Sequence, residues 1–106
     1  MIALLWTYRV KPECQALFEA IYSPQGDWAK LFRQASGFGG TELLRQAGGR
    51  YATIDRWSHA ADFERFKEQF RAAYDALDKR CEALTLEEPF LGRFEVCAGE
   101  SKIGSV

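Results

Sequence analysis

The sequence predicts an α+β domain of order βαββαβ: a four-stranded antiparallel sheet with two helical segments on one face. Three observations predict it. Phe63, Phe66, Phe70, Tyr74, Leu77, Cys81 and Leu84 recur at spacings of three and four, which stacks all seven on one face of a long helix. A face carrying three Phe and a Tyr needs something broad and flat to lie against. The first ten residues alternate as a strand does, and Gly48-Gly49 separates two further strand-like runs.

In chain order, residues 2–10 form the first strand, with Ile2, Leu4, Trp6, Tyr8 and Val10 on one face and Ala3, Leu5, Thr7 and Arg9 on the other. Both faces begin apolar, so this strand is central and covered on both sides. Pro12 suits the first turn of a helix, where its missing donor costs nothing. Leu17, Phe18 and Ile21 make that helix's inner stripe. Ser23-Pro24-Gln25-Gly26 interrupts it, and Trp28, Leu31, Phe32 and Ala35 resume it. A two-residue turn at Gly48-Gly49 then pairs Leu44 with Thr53 and Glu42 with Asp55 on one face, and Leu43 with Ile54 on the other. Ser58 caps the aromatic helix, which runs to about Leu84. Residues 89–97 form a last strand with Phe90, Phe94 and Val96 on one face, and residues 98–106 a loose tail. This connectivity is ferredoxin-like. The helix-free face keeps Leu5, Leu43 and Ile54, and a homodimer packed sheet to sheet is the simplest cover.

The chain has 106 residues, net charge −1 and 47% apolar residues, an ordinary profile for one soluble domain. Lys and Arg are scattered, so no nucleic-acid partner is expected. The apolar start is too short to span a bilayer or to serve as a signal, which predicts a cytoplasmic protein with no membrane partner. Three cysteines without CxxC spacing read as reduced thiols, and a single His precludes a multi-His metal site.

WTYRVKP (6–12), GFGGTELL (37–44) and YATIDRWS (51–58), with Phe63 six positions beyond Trp57, resemble the antibiotic biosynthesis monooxygenase superfamily over residues 1–97. The resemblance implies a dimeric α/β barrel. It also implies cofactor-independent oxygenation of a small aromatic or quinol-type molecule, or a non-catalytic binding or dimerisation module of the same fold. Haem-degrading relatives use an Asn on strand one, a Trp ending strand three and a His on the next helix. Trp57 matches, but the other two positions fall at Tyr8 and about Phe66, and the chain has no Asn. No cofactor is therefore expected.

Cofactor-free oxygenation needs a dry aromatic pocket, a base and a donor to the oxyanion. The expected walls are Trp6, Tyr8, Leu44 and Trp57 from the sheet with Phe32, Phe66, Phe70 and Tyr74 from the helices. The same rings could equally fill a core. Asp55, two positions before Trp57, is the candidate base through burial, or else the partner of an arginine or hydroxyl. His59, at the start of the aromatic helix, is a second candidate base, or else a solvated helix-start residue. Tyr8 and Tyr74 are candidate donors. A cavity near ~300 Å³ with a convergent polar group favours ligand chemistry; a filled interior favours the module.

Overall fold

In the computed structural model, which describes residues 1–99, β1 (Ile2–Val10) is the central strand. β3 (Arg50–Trp57) lies on one side of it, with β2 (Phe38–Gln46) beyond at the edge. β4 (Thr85–Glu87) and β5 (Phe90–Glu95) share its other side, and every pairing is antiparallel. The expected four strand positions are present, but two short strands fill the last. The tail expected at residues 98–106 falls outside the described residues from 100 onward.

The inner rows explain why the sheet holds together. Ile2, Leu4, Tyr8 and Val10 on β1 are buried, as are Tyr51, Thr53, Asp55 and Trp57 on β3. On β3 they alternate with the half-exposed Ala52, Ile54 and Arg56, the period of a sheet with one packed face.

The hairpin departs from expectation. Ala47, Gly48 and Gly49 form a three-residue loop, with φ of 82° and 77° at the two glycines. The backbone N–H of Val10 donates to the carbonyl of Gly49 at 2.9 Å and fixes the loop against β1. The register is thus one residue away from that of a two-residue turn: Thr41 faces Asp55, Leu43 faces Thr53 and Leu44 faces Ala52. A slip of one residue exchanges the two faces. Thr41 and Leu43 point towards the helices, and Leu44 joins Leu5 and Ile54 on the helix-free face. A bulge on the other edge divides β5 in the same way. Phe90 pairs with Trp6 on the inner side and Phe94 with Ala3 on the outer, so the two do not share a face as expected.

The first helical segment is a 3₁₀ turn (Pro12–Cys14), α1 (Gln15–Tyr22) and α2 (Asp27–Phe32), broken at Ser23-Pro24. Its inner stripe is Phe18, Ile21 and Tyr22; Leu17, expected inside, is 54% exposed. The aromatic helix is two helices, α3 (Ala60–Gln69) and α4 (Arg71–Cys81), followed by a 3₁₀ turn (Glu82–Leu84). Phe70 sits between them at φ −112°, ψ 26°. The stripe survives because Phe70 N–H still reaches Phe66 O (2.8 Å) and Tyr74 N–H reaches Phe70 O (2.9 Å). No Pro or Gly marks this break, so the sequence reads through it. His59, not Ser58, is the N-cap residue, and its side chain makes no capping bond. Gly37, at φ +90°, lies where any Cβ would collide with the Asp62 carboxyl group, so β2 can enter only over a glycine.

Candidate functional site

The space between sheet and helices has two ends. At one end the rings fill it. Trp57 and Phe66 are fully buried, their centroids 5.4 Å apart. Phe32 lies 5.7 Å from Trp57 and 5.2 Å from Phe66, and Phe63 and Phe70 flank them.

At the other end the same sheet leaves a cavity. Thr53 and Asp55 stand on the inner row of β3 between two large rings, Tyr51 and Trp57, and Thr41 stands beside Asp55 on β2. Three short polar side chains cannot reach the helices; Trp28 and Tyr74 roof the gap from the helices, and Trp6 and Tyr8 wall it from β1, without closing it. The free space is about 60 Å³. A single buried water needs ~10–15 Å³, so several fit. The interior is therefore neither filled nor as roomy as an ordinary small-molecule pocket of ~300 Å³ and above.

The cavity's most buried carboxyl is that of Asp55, which is 9% exposed. Burial raises its carboxyl to about 6, partly opposed by the Thr41 hydroxyl, which donates to Asp55 Oδ1 at 2.7 Å. No ion pair holds it among the described residues; Arg56, on the opposite face, pairs with Glu42 instead at 2.5 Å. The Tyr8 and Thr53 hydroxyls share a buried hydrogen bond of 2.8 Å. Burial raises Tyr8 well above the ordinary phenol range, with a smaller push from Asp55. Tyr74 is raised to about 12 by burial, then by Asp78, Asp55, Asp75 and Glu88. Both phenols therefore keep their protons at neutral pH and can donate.

Trp6, Tyr8, Phe32, Tyr74 and Asp55 border this cavity. Trp57, Phe66 and Phe70 instead make the filled end. Leu44, expected as a wall, is 47% exposed on the other face, a consequence of the hairpin register. His59 is not brought to the cavity. Its side chain is 80% exposed, and Nδ1 lies 3.3 Å from Asp62, which Arg65 also holds. Leu4, Tyr22, Trp28, Thr41, Thr53, Phe63, Asp78 and Glu88 line the cavity without having been singled out as site residues. Tyr22 had a visible signal, since it follows Phe18 by one helical turn.

No family model matches the chain, and no curated protein matches it in sequence. Solved structures do match. A mutant of SnoaB, a cofactor-independent oxygenase from Streptomyces nogalater, superposes with a TM-score of 0.78 at 20% identity, covering 95% of this chain and 97% of that one. A putative antibiotic biosynthesis monooxygenase from Nitrosomonas europaea matches at 0.69 and 13% identity, over 92% of this chain and all of that one. The fold is that of the antibiotic biosynthesis monooxygenase-like proteins. At such identities the likeness is one of fold.

A third structure of this monooxygenase-like fold, a mutant of MhuD with two manganese protoporphyrins bound per active site, matches at 0.71 and 20% identity, over 96% of this chain and all of that one. A porphyrin does not fit here. Phe66 is fully buried and offers no ligand, the lone His lies outside the cavity, and 60 Å³ cannot admit a macrocycle. Among the described residues, no group of three or more His, Cys, Asp or Glu side chains is placed to hold a metal, and no helix is long and apolar enough to cross a membrane.

Proposed function

We propose that this chain is a cofactor-independent oxygenase of a small phenolic or quinol-type molecule. The observation that carries the reading is one deeply buried carboxylate, Asp55, opening onto an aromatic cavity whose other interior polar groups are hydroxyls, with Asp78 and Glu88 at its edge. Asp55 takes the phenolic proton. Tyr74 and the Tyr8–Thr53 pair donate towards the anion. The anion passes an electron to dioxygen, the radicals combine at ring carbon, and loss of water leaves a quinone. In sum, phenol and O₂ become quinone and H₂O: one oxygen atom enters the ring, and the other leaves as water with two substrate hydrogens. A carboxylate at about 6 deprotonates a phenol near 10 uphill by roughly 5 kcal/mol. The donors and the downstream electron transfer must offset that cost. A ring-sized substrate also needs more than 60 Å³, so Tyr74 or Phe63, both only partly buried, swings outward on binding.

Support for the reading comes from the fold shared with a cofactor-independent oxygenase and from the wall chemistry. The test is oxygen uptake with simple quinols and anthrones, followed beside Asp55→Asn. Uptake no faster than the blank, or uptake unchanged in the variant, sinks it. The second reading, a non-catalytic binding module, is favoured by the small free space; it expects ligands to raise the melting temperature without turnover.

We also propose a homodimer through the helix-free face. Leu5, Ile54 and Leu44 form an apolar centre there, bordered by Arg56–Glu42 and Arg9–Glu87 ion pairs. Ile54→Glu, at the middle of that face, should convert the dimer to a monomer in sedimentation; an unchanged species would remove this part of the reading. The free thiols at Cys14, Cys81 and Cys97 suit a cytoplasmic location.

A further inference from the structure

Among the described residues, three carboxylates border the cavity and no cationic side chain does. Asp55 is at its floor; Asp78, exposed on α4, and the half-buried Glu88 stand at its edge. None of the described residues lining it is Lys, Arg or His. The negative charge there is crowded. Asp78 is raised by burial and then by Glu82 and Asp75, and Glu88 by burial and then by Asp78 and Glu82. The remaining walls are mostly aromatic, and ring faces attract cations. The chain already uses two of these rings in that way: Lys67 Nζ lies 5.5 Å from the Phe63 centroid and 5.6 Å from that of Tyr74, without itself lining the cavity.

This distribution is awkward for the proposed reaction. An oxyanion formed as Asp55 takes the proton still faces two carboxylates, Asp78 and Glu88, and among the described residues no Lys, Arg or His lines the cavity to compensate. A ligand that brings its own positive charge would supply what this lining lacks. We propose that the site takes an aromatic ligand bearing a cationic nitrogen, with the ring on Trp6, Tyr8 and Trp28 and the nitrogen towards Asp78 and Glu88. The inference rests on the cavity being the ligand site, as in the proposed function, and specifies the substrate class. A cationic substituent lowers the pKa of its own phenol through space, and so eases the proton transfer to Asp55. A carboxylated analogue would meet like charge at the mouth and be refused.

The experiment uses three phenols with one ring and different side-chain charge: tyramine (cationic), 4-ethylphenol (neutral) and 4-hydroxyphenylacetate (anionic). Binding to the full chain is followed by tryptophan fluorescence under nitrogen, so that turnover plays no part. Tyramine should bind at least about tenfold more tightly than 4-hydroxyphenylacetate at low salt. The margin should shrink towards about 0.5 M salt and collapse in Asp78→Asn/Glu88→Gln. Asp78→Asn alone, on the exposed side of α4, should narrow it and serves if the double variant does not fold. Equal binding, a preference for the anion, a cation preference indifferent to these variants, or no binding of any of the three overturns the inference. Equal binding with oxygen uptake leaves the oxygenase standing; a cation preference without uptake on any phenol removes the oxygenase and keeps the inference.

Discussion

The two ends of the interior use the same sheet, the same helices and much the same rings, yet one is solid and the other hollow. The difference lies in the inner row of β3, where Trp57 serves the filled end and Thr53 and Asp55 serve the cavity. Opposite them on β1, Ile2 faces Trp57, Leu4 faces Asp55 and Trp6 faces Thr53. Packing to crystal-like density requires facing volumes to add up. At the filled end they do. In the middle of the sheet two short polar residues leave the sum deficient, and polar groups join the rings that border the gap. The filled end is therefore where stability should reside, and the hollow end where chemistry should.

The sharpest break of that division is Asp55→Asn. If Asp55 is the base, turnover should fall by about 10²–10⁴-fold. The variant should not lose stability at pH 7, because the amide oxygen can still accept from Thr41 and a buried charge disappears. An activity loss matched by a fall in melting temperature would mean that Asp55 is structural and that the two ends do not differ in kind.

Phe66→Ala probes the other end. Phe66 is fully buried among Phe32, Trp57, Phe63 and Phe70. Its truncation should cost about 3–5 kcal/mol in chemical denaturation. A cost below ~1.5 kcal/mol would show that the filled end is plastic and the contrast overstated.

Much of this division was legible in the sequence. Alternation along β1 and β3 fixed both inner rows, including Asp55 beside Trp57, and the stripe from Phe63 to Leu84 fixed the roof. What was illegible followed from single-residue shifts and long-range meetings. Gly48-Gly49 suits a loop of two or of three residues, and only the tertiary bond from Val10 to Gly49 decides between them. That decision exchanged Leu44 for Leu43 and brought Thr41 to Asp55. Asp78 lies one turn beyond Tyr74 on α4 and could have been noticed. Glu88 reaches the same place only because the last strand breaks in two.

Stability should also depend on pH through Asp55 at the hollow end. Asp55 is raised in the folded chain to about 6, against an ordinary carboxylate near 4 when unfolded. The native state thus binds the extra proton between those values, so this group's contribution to stability falls as pH rises from ~4 to ~6 and is flat above. Its size is about 2–3 kcal/mol. Asp55→Asn should remove this contribution while Phe66→Ala leaves it intact. Urea unfolding from pH 4 to 7 on the three proteins reads it: the raised Asp78 and Glu88 leave a smaller slope in Asp55→Asn, and a slope undiminished there would place its origin elsewhere.

The smallest effect asks whether the hollow end is wet. Thr53→Val keeps the shape of the side chain and removes the hydroxyl that pairs with Tyr8 at 2.8 Å. Both groups are buried, Thr53 at 2% and Tyr8 at 7% exposure. A Tyr8 hydroxyl left dry should cost about 1–2 kcal/mol, a fall of several degrees in melting temperature for a domain of this size. Water already in the cavity could instead take the place of Thr53, and the cost would then drop below ~0.5 kcal/mol. We expect the smaller value, because a space of about 60 Å³ bordered by Asp55, Thr41 and Tyr74 offers a water several partners. The full cost would mean that the space is dry, which would set the hollow end closer to the filled one than its polar lining suggests.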